Sequence, residues 1–250
     1  MNPTLFLPHG APTFALDPGP AGQAIAAFSE RLEKPEAVLI ASAHWNTAIP
    51  VLGSSRRPET IHDFWGFPDQ LYDLDYPAEG SPELAHRAAK LLEGKTEGRG
   101  LDHGAWIPLR FLYPDASVPV VPLSIQYGMS PLHHFQMGRK LASLREDGVL
   151  IVSSGNLTHN LSHYRPGMTE IPSYVTEFSG WFREKLNRKD LSSLLDYRKH
   201  APGAQLAHPT DEHLLPLFVA LGAAGDDFET EVIYAGVQEG MLALDAFAFG

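Results

Sequence analysis

The sequence predicts an α/β fold, a single domain with a mainly parallel or mixed central sheet flanked by helices. Three observations carry this. Apolar runs of strand length alternate with segments of helical spacing along the whole chain. The runs EAVLIASA (36–43) and VLIVSSG (149–155) lack a polar face, as expected of strands covered on both sides. Two of the helical segments, 81–94 and 130–148, carry a Ser-Pro opening and a Gly stop. No internal repeat, low-complexity tract or linker divides the 250 residues, so one domain over 1–250 is expected.

Taken in order, TLFL (4–7) is a short strand that ends at Pro8-His9-Gly10. AGQAIAAFSERLE (21–33) has helical spacing and stops before Pro35. EAVLIASA is the second strand, and AIPVLG (48–53) a third, its Pro50 indicating an edge position. Residues 54–80 are rich in Pro, Gly, Asp and aromatics and form a long ordered loop, a feature that is usually functional. SPELAHRAAKLLEG (81–94) is a helix with Ser81 as N-cap, Pro82 in the first turn and Gly94 at the stop. VPVVPLSI (118–125) is a strand, SPLHHFQMGRKLASLREDG (130–148) a helix, and VLIVSSG a strand running into a glycine turn. Residues 172–197 are helical, TDEHLLPLFVALGAAG (210–225) is an apolar helix, and EVIYAG (231–236) and MLALDAFAFG (241–250) are closing strands.

Apolar residues make up 44% and charged residues 20% of the chain, values of an ordinary globular protein. There is no cysteine, which excludes disulfides and thiolate metal sites, so metal chemistry must use His, Asp or Glu. A net charge of −11 argues against nucleic-acid or anionic-membrane partners. No signal-peptide pattern and no membrane-span run is present, and a cytoplasmic protein is expected. The sequons at Asn156 and Asn160 are then chance matches. A homo-oligomer is compatible with the sequence and is not specified by it.

The chain has 12 histidines, and their positions matter more than their number. His9, His44 and His159 each follow a strand candidate. In open α/β sheets ligands bind beyond the carboxyl ends of the strands, so parallel neighbouring strands would bring these three imidazoles to one rim. His213 falls in the first turn of the 210–225 helix, from which its side chain can reach the same crevice. His103 lies in GLDHGAWIP, a glycine-flanked loop entering a short helix. His86 and His200 read as surface residues, His133 and His134 as first-turn helix residues, and His163 and His208 as loop residues. His62, in TIHDFWGFP, serves either a pocket wall or the loop's own small core. A nitrogen-only cluster suits Zn, Fe, Ni or Cu. There is no P-loop and no GxGxxG, and SSG (153–155) lacks the GxSxG frame of a nucleophile elbow.

LPHGAP (7–12), SAHWN (42–46), PETIHDFWGFPDQLYDLDYPAEGSPELA (58–85), LDHGAWIPL (101–109), PVVPLSI (119–125), SSGNLTHNL (153–161) and PTDEHLLPLFVALGA (209–223) occur in this order. Together they resemble the class III extradiol ring-cleavage dioxygenases, in the DOPA 4,5-extradiol dioxygenase-like branch, over almost the whole chain. The resemblance implies an α/β fold with one mononuclear non-haem metal at the carboxyl ends of the strands. It further implies insertion of O2 into a catechol-type, dihydroxyphenyl ring to give a ring-opened semialdehyde. His9, His44 and His213 are the implied metal ligands. His213 stands where the wider superfamily generally has a glutamate. Glu212 is adjacent, and on a helix it would point about 100° away from its neighbour. Fe(II) is then the expected ion for turnover and Zn(II) a ready occupant. His159 resembles the catalytic acid/base and a candidate fourth ligand. His103 resembles the residue that holds the substrate's oxygen substituents.

Trp45, His62, Phe64, Trp65 and Tyr72 are candidates for the aromatic wall of the substrate pocket. Arg56, Arg57 and Asp63 are candidates for a charged contact in the 54–80 loop. Two other readings use the same histidines. One is a zinc-dependent hydrolase that activates water, suggested by the missing third carboxylate. The other is a non-catalytic metal-binding interaction protein, which would have no use for His159 beside a complete ligand set.

Overall fold

A computed structural model describes residues 1–165 and 168–250. Among these residues ten strands form: β1 (Thr4–Pro8), β2 (Ala37–Asn46), β3 (Val51–Gly53), β4 (Lys95–Glu97), β5 (Val120–Ile125), β6 (Val149–Gly155), β7 (Thr230–Tyr234), β8 (Val237–Gln238), β9 (Leu242–Ala243) and β10 (Ala246–Phe249). Eight of them make one sheet in the order β4-β3-β5-β2-β6-β1-β10-β7, and β8 and β9 pair as a small hairpin. The central strands β5, β2, β6 and β1 run parallel, while β3 and β10 pair antiparallel with their inner neighbours β5 and β1. The sheet is therefore mixed with a parallel centre, as the sequence predicts.

Nine helices cover it: α1 (Gly19–Ser29), α2 (Pro82–Leu92), α3 (His103–Leu112), α4 (Pro131–Leu141), α5 (Ser173–Asn187), α6 (Leu191–Leu195), α7 (Tyr197–His200), α8 (Ala204–Ala207) and α9 (Leu215–Ala224), counted among the described residues. The continuous apolar character of β2 has a direct cause. Val38 and Ile40 point into a core shared with Ile25 and Phe28 of α1 and Trp106 and Leu109 of α3. Leu39 and Ala41 point the other way, into a core with Leu84 and Leu92 of α2, Leu141 of α4 and Val219 of α9. Alternate residues of a strand face opposite sides, so burial on both faces demands apolar residues at every position. A third core, beneath α5 and α9, packs Phe6, Phe247 and Phe249 on Phe178, Phe182 and Phe218.

Several elements differ from the sequence reading, among them the 241–250 strand, which divides into β9 in the small hairpin and β10 in the main sheet. β3 is not the edge; β4, a short charged KTE segment, lies outside it. Short charged edge strands resist stray pairing and carry little apolar signal. Pro50 is tolerated because it precedes β3, where its carbonyl accepts the Lys95 N–H at 2.9 Å. The 172–197 helix ends at Asn187, and Lys189 turns the chain with a positive φ of 53° before α6. The 130–148 helix ends at Leu141 and continues as a 3-10 turn over 142–147. Finally, α9 begins at Leu215 with Pro216 in its first turn, a position that suits proline. His213 thus sits in the turn before the helix.

Among the described residues, no helix is long and apolar enough to cross a membrane.

Candidate metal centre

Strands β2, β6 and β1 are parallel neighbours, so segments leaving their carboxyl ends meet at one rim. His9 is the first residue after β1. His44 lies near the end of β2, within a register break between Ser42 and Asn46. Such a break re-aims side chains at a strand end. His159 follows β6, with its backbone N–H donated to the Ala207 carbonyl at 2.8 Å. His213 arrives on the turn before α9, and Gly155 lets it. A Cβ on Gly155 would overlap the His213 carbonyl oxygen, which instead accepts the Asn156 N–H at 3.0 Å.

His9, His44 and His213 each offer one ring nitrogen, all within 4.8 Å of one another. The Nε2 atoms of His9 and His44 are 3.1 Å apart. His213 Nε2 is buried and has no hydrogen-bond partner among the described residues. Two nitrogens bound to one divalent ion at about 2.0–2.1 Å stand roughly 3.0–3.4 Å apart, so this spacing and the unpartnered nitrogen fit a metal ion. The opposite side of each ring is also occupied. His9 Nδ1–H donates to Ser154 Oγ at 3.0 Å, His44 Nδ1 faces Asp63 Oδ2 at 3.4 Å, and His213 Nδ1 faces Glu212 Oε1 at 3.3 Å. Partners of this kind set the tautomer that leaves Nε2 free as a ligand and raise its basicity. Glu212 is thus beside His213 rather than turned away, because the segment is a turn and not yet a helix. Two carboxylates behind the rings supply negative charge that a three-imidazole set lacks. Burial first, then the charges of neighbouring rings, holds His9, His44 and His213 well below the usual imidazole range. They are neutral at pH 7, the form that binds metal.

His103 opens α3. The Asp102 side chain caps that helix by accepting the Ala105 N–H at 3.1 Å, and it accepts the Ser42 hydroxyl at 2.5 Å. Burial pushes the Asp102 carboxyl up. Gly104 permits the close approach, since a Cβ there would lie 2.5 Å from Ser42 Oγ and 2.9 Å from His44 Cδ2. Asp63 joins the two histidines. Its Oδ1 accepts the His103 backbone N–H at 2.8 Å and Nδ1–H at 2.9 Å, while Oδ2 faces His44. Burial works against the Asp63 carboxylate, yet the hydrogen bonds and charges of His103 and His44 hold it at about 2. His159 stacks on His213, ring centroids 3.5 Å apart. It groups with Glu212 and His213, outside the three nitrogens that share a centre. Burial lowers it to about 4.

His9, His44, His103, His159 and His213 line one cavity of about 560 Å³, walled also by Phe64, Phe67, Leu161, Tyr164, Met241 and Leu242 among others. The remaining aromatic candidates lie elsewhere. Trp45 is buried on the opposite face of β2 from His44, with the Arg99 guanidinium 4.6 Å from its ring. His62 donates Nε2–H to the Leu74 carbonyl at 2.9 Å and packs on Phe64, Tyr72 and Trp106, so it serves the loop's own core. Tyr72 donates its hydroxyl to the Phe64 carbonyl at 3.4 Å and does not line the cavity. Trp65 is exposed. His208 is no ordinary loop residue but wholly buried, donating Nε2–H to the Leu157 carbonyl at 2.8 Å. Sequence reasoning passed over Ser154, Gly155, Glu212 as a partner of His213, and Asp63 as the bridge between His44 and His103. Their nearness to the histidine motifs was the available signal.

Residues 3–242 match the family described as the catalytic LigB subunit of aromatic ring-opening dioxygenase. A Beta vulgaris protein named 4,5-DOPA dioxygenase extradiol is 38% identical over 98% of this chain and 96% of its own length. An Escherichia coli (strain K12) protein of the same name is 37% identical over 99% of this chain and 94% of its own. A Hapsidospora irregularis protein named dioxygenase tasH is 32% identical over 91% of this chain and 79% of its own. The crystal structure of an uncharacterized Escherichia coli K12 protein aligns over 100% of both chains with a TM-score of 0.83 and 31% identity. The histidine-lined cavity at the parallel strand ends is what such a match leads one to expect. The chain belongs to the LigB family and is an extradiol ring-cleavage dioxygenase, a metal-dependent enzyme that acts on an aromatic substrate with O2.

Proposed function

We propose that the chain opens a catechol-type ring, of the dihydroxyphenyl kind carried by DOPA, with Fe(II) held by His9, His44 and His213. The observation that carries this is the set of three neutral imidazoles, His9 and His213 buried and His44 partly so, with His213 Nε2 unpartnered among the described residues, in an apolar-walled cavity. The chemistry supplied by bound Fe(II) is acidification of a catechol hydroxyl and the one-electron reactivity that lets a closed-shell ring combine with O2. Zinc fits the same nitrogens but has no redox chemistry, so a zinc-filled protein would not turn over.

The protein groups do the rest. His159 takes a phenolic proton as the substrate binds and returns one during ring opening. An imidazole suits both directions because its ordinary pKa is near 6.5. Its stacking on His213 supports this role over that of a fourth ligand. His103 has Nδ1–H committed to Asp63, which leaves Nε2 for a substrate oxygen. Phe64, one of the expected aromatic residues, and Phe67 flank the ring and exclude water, whereas Trp45, His62 and Tyr72 do not line the cavity. The hydrolase alternative rests on the missing third carboxylate. Glu212 beside His213 weakens it, and the relatives are named dioxygenases.

The test is anaerobic loading with Fe(II), addition of a catechol, and admission of air. Uptake of one O2 per ring and a yellow ring-opened product are expected, with no uptake from zinc-loaded protein. No uptake across a catechol panel, with iron shown to be in place, would overturn the proposal.

A further inference from the structure

The β8–β9 hairpin closes one side of the cavity. Glu239, Met241 and Leu242 from this segment all line it. The hairpin is tied to the loop that carries His9, where the Ala11 N–H donates to Gln238 Oε1 at 3.5 Å. Glu239 holds the left-handed backbone region at φ 51°, followed by Gly240 at φ 70°. Two successive positive φ values are the signature of a tight hairpin turn that selects Asn, Asp or Gly at its first central position. Glutamate is a poor choice there on backbone grounds. A non-glycine residue held in that region at a ligand cavity points to a role for its side chain.

The charge balance of the cavity indicates the role. Among the described residues lining it, Glu239 is the one acidic side chain, and none is Lys or Arg. Among the described residues its carboxylate makes no hydrogen bond and no ion pair, whereas both oxygens of nearby Asp63 are committed to His103 and His44. Of the five histidines lining it, burial holds His9, His44, His159 and His213 below the usual imidazole range, and His103 is committed through Nδ1 to Asp63. An anionic substituent on the substrate would find no counter-ion here, and a cationic one would find Glu239.

We propose that Glu239 is a specificity-determining residue of this site, pairing its carboxylate with an ammonium group on the side chain of the catechol. The inference rests on the catechol reading above and narrows it to amine-bearing catechols.

The test is anaerobic equilibrium binding to the metal-loaded full chain. Three probes share the ring and differ in the side chain: 3,4-dihydroxyphenethylamine, 4-ethylcatechol and 3,4-dihydroxyphenylpropionate. The amine is expected to bind the wild type roughly tenfold tighter than 4-ethylcatechol, a difference of 1.4 kcal/mol, and the propionate more weakly than either. In Glu239→Gln and Glu239→Asn the amine-to-ethyl ratio falls to about one. Glu239→Asn suits the turn, so it folds at least as well as the wild type and separates loss of recognition from loss of structure. Equal wild-type affinity for the amine and the ethyl compound, or an unchanged ratio in both variants, would overturn the proposal. Failure of the dioxygenase reading shows separately, as catechol binding without oxygen uptake on iron-loaded protein. Absence of binding by all three probes overturns both.

Discussion

The imidazoles of His159 and His213 lie face to face, 3.5 Å between centroids and 6° from parallel. His213 turns its buried, unpartnered Nε2 toward His9 and His44. His159 packs on the flat side of that ring, at the cavity wall. In the proposed reading the His213 ring holds the ion and the His159 ring stands beside the substrate bound to it.

This arrangement separates metal binding from proton transfer. His159→Ala should retain one metal per chain while kcat falls by about 10²–10⁴, the usual worth of a positioned acid/base. Metal content by elemental analysis and oxygen uptake on the same sample check it. A variant that loses its metal would make His159 a ligand.

Asp63 serves two histidines with one carboxylate. Asp63→Asn should weaken metal affinity about 10–100-fold, as loss of an outer partner commonly does, and should leave His103 misoriented. Competition with a chelator of known affinity gives the first effect, and KM for the catechol the second. Unchanged metal affinity would reduce Asp63 to a loop residue.

Gly155 lets the His213 turn rest on the end of β6. Gly155→Ala should destabilise the fold by about 1–3 kcal/mol, since the added methyl overlaps backbone and not a movable side chain. Metal content should fall with it. Gly180 is the contrast: it lies inside α5 with nothing within 4 Å of an added Cβ. Gly180→Ala should stabilise the protein by up to about 1 kcal/mol. Thermal melts of the two variants should move in opposite directions.

His134 predicts acid sensitivity away from the metal. It accepts the Gln126 N–H at 3.2 Å through Nε2 and donates Nδ1–H to the Ser130 carbonyl at 3.0 Å, which fixes the neutral ring. Burial pushes its pKa down to about 4. Between about 6.5 and about 4 the unfolded chain therefore binds a proton that the folded chain refuses. Stability is lost as pH falls through that window, by up to about 3 kcal/mol from this group. His134→Gln keeps a donor and an acceptor without the titration. Urea unfolding at pH 7 and pH 5 should show a smaller loss in the variant than in the wild type.

Much of the architecture was legible in the residues. Strands buried on both faces must be apolar throughout, and that requirement marks β2 and β6 in any reading. The histidines beyond their ends followed, because side chains leaving parallel strands at the same end must gather there. Elements whose residues have no such pressure were hidden: β4 is a polar edge strand, and the turn before α9 looks helical by spacing until Pro216 sets the start.

The chain alone marked His9, His44 and His213 as candidate metal ligands, through the motifs that carry the family resemblance, and the strand ends from which the first two leave. Only the folded structure decided what stands behind each ring. Ser154, Asp63 and Glu212 reach their histidines through strand register, a loop crossing and a local turn, and each contact depends on placement to within an ångström. Periodicity and motif report which face a residue occupies. A hydrogen bond requires a distance, and distances between segments far apart in sequence come only from the way the layers close on one another.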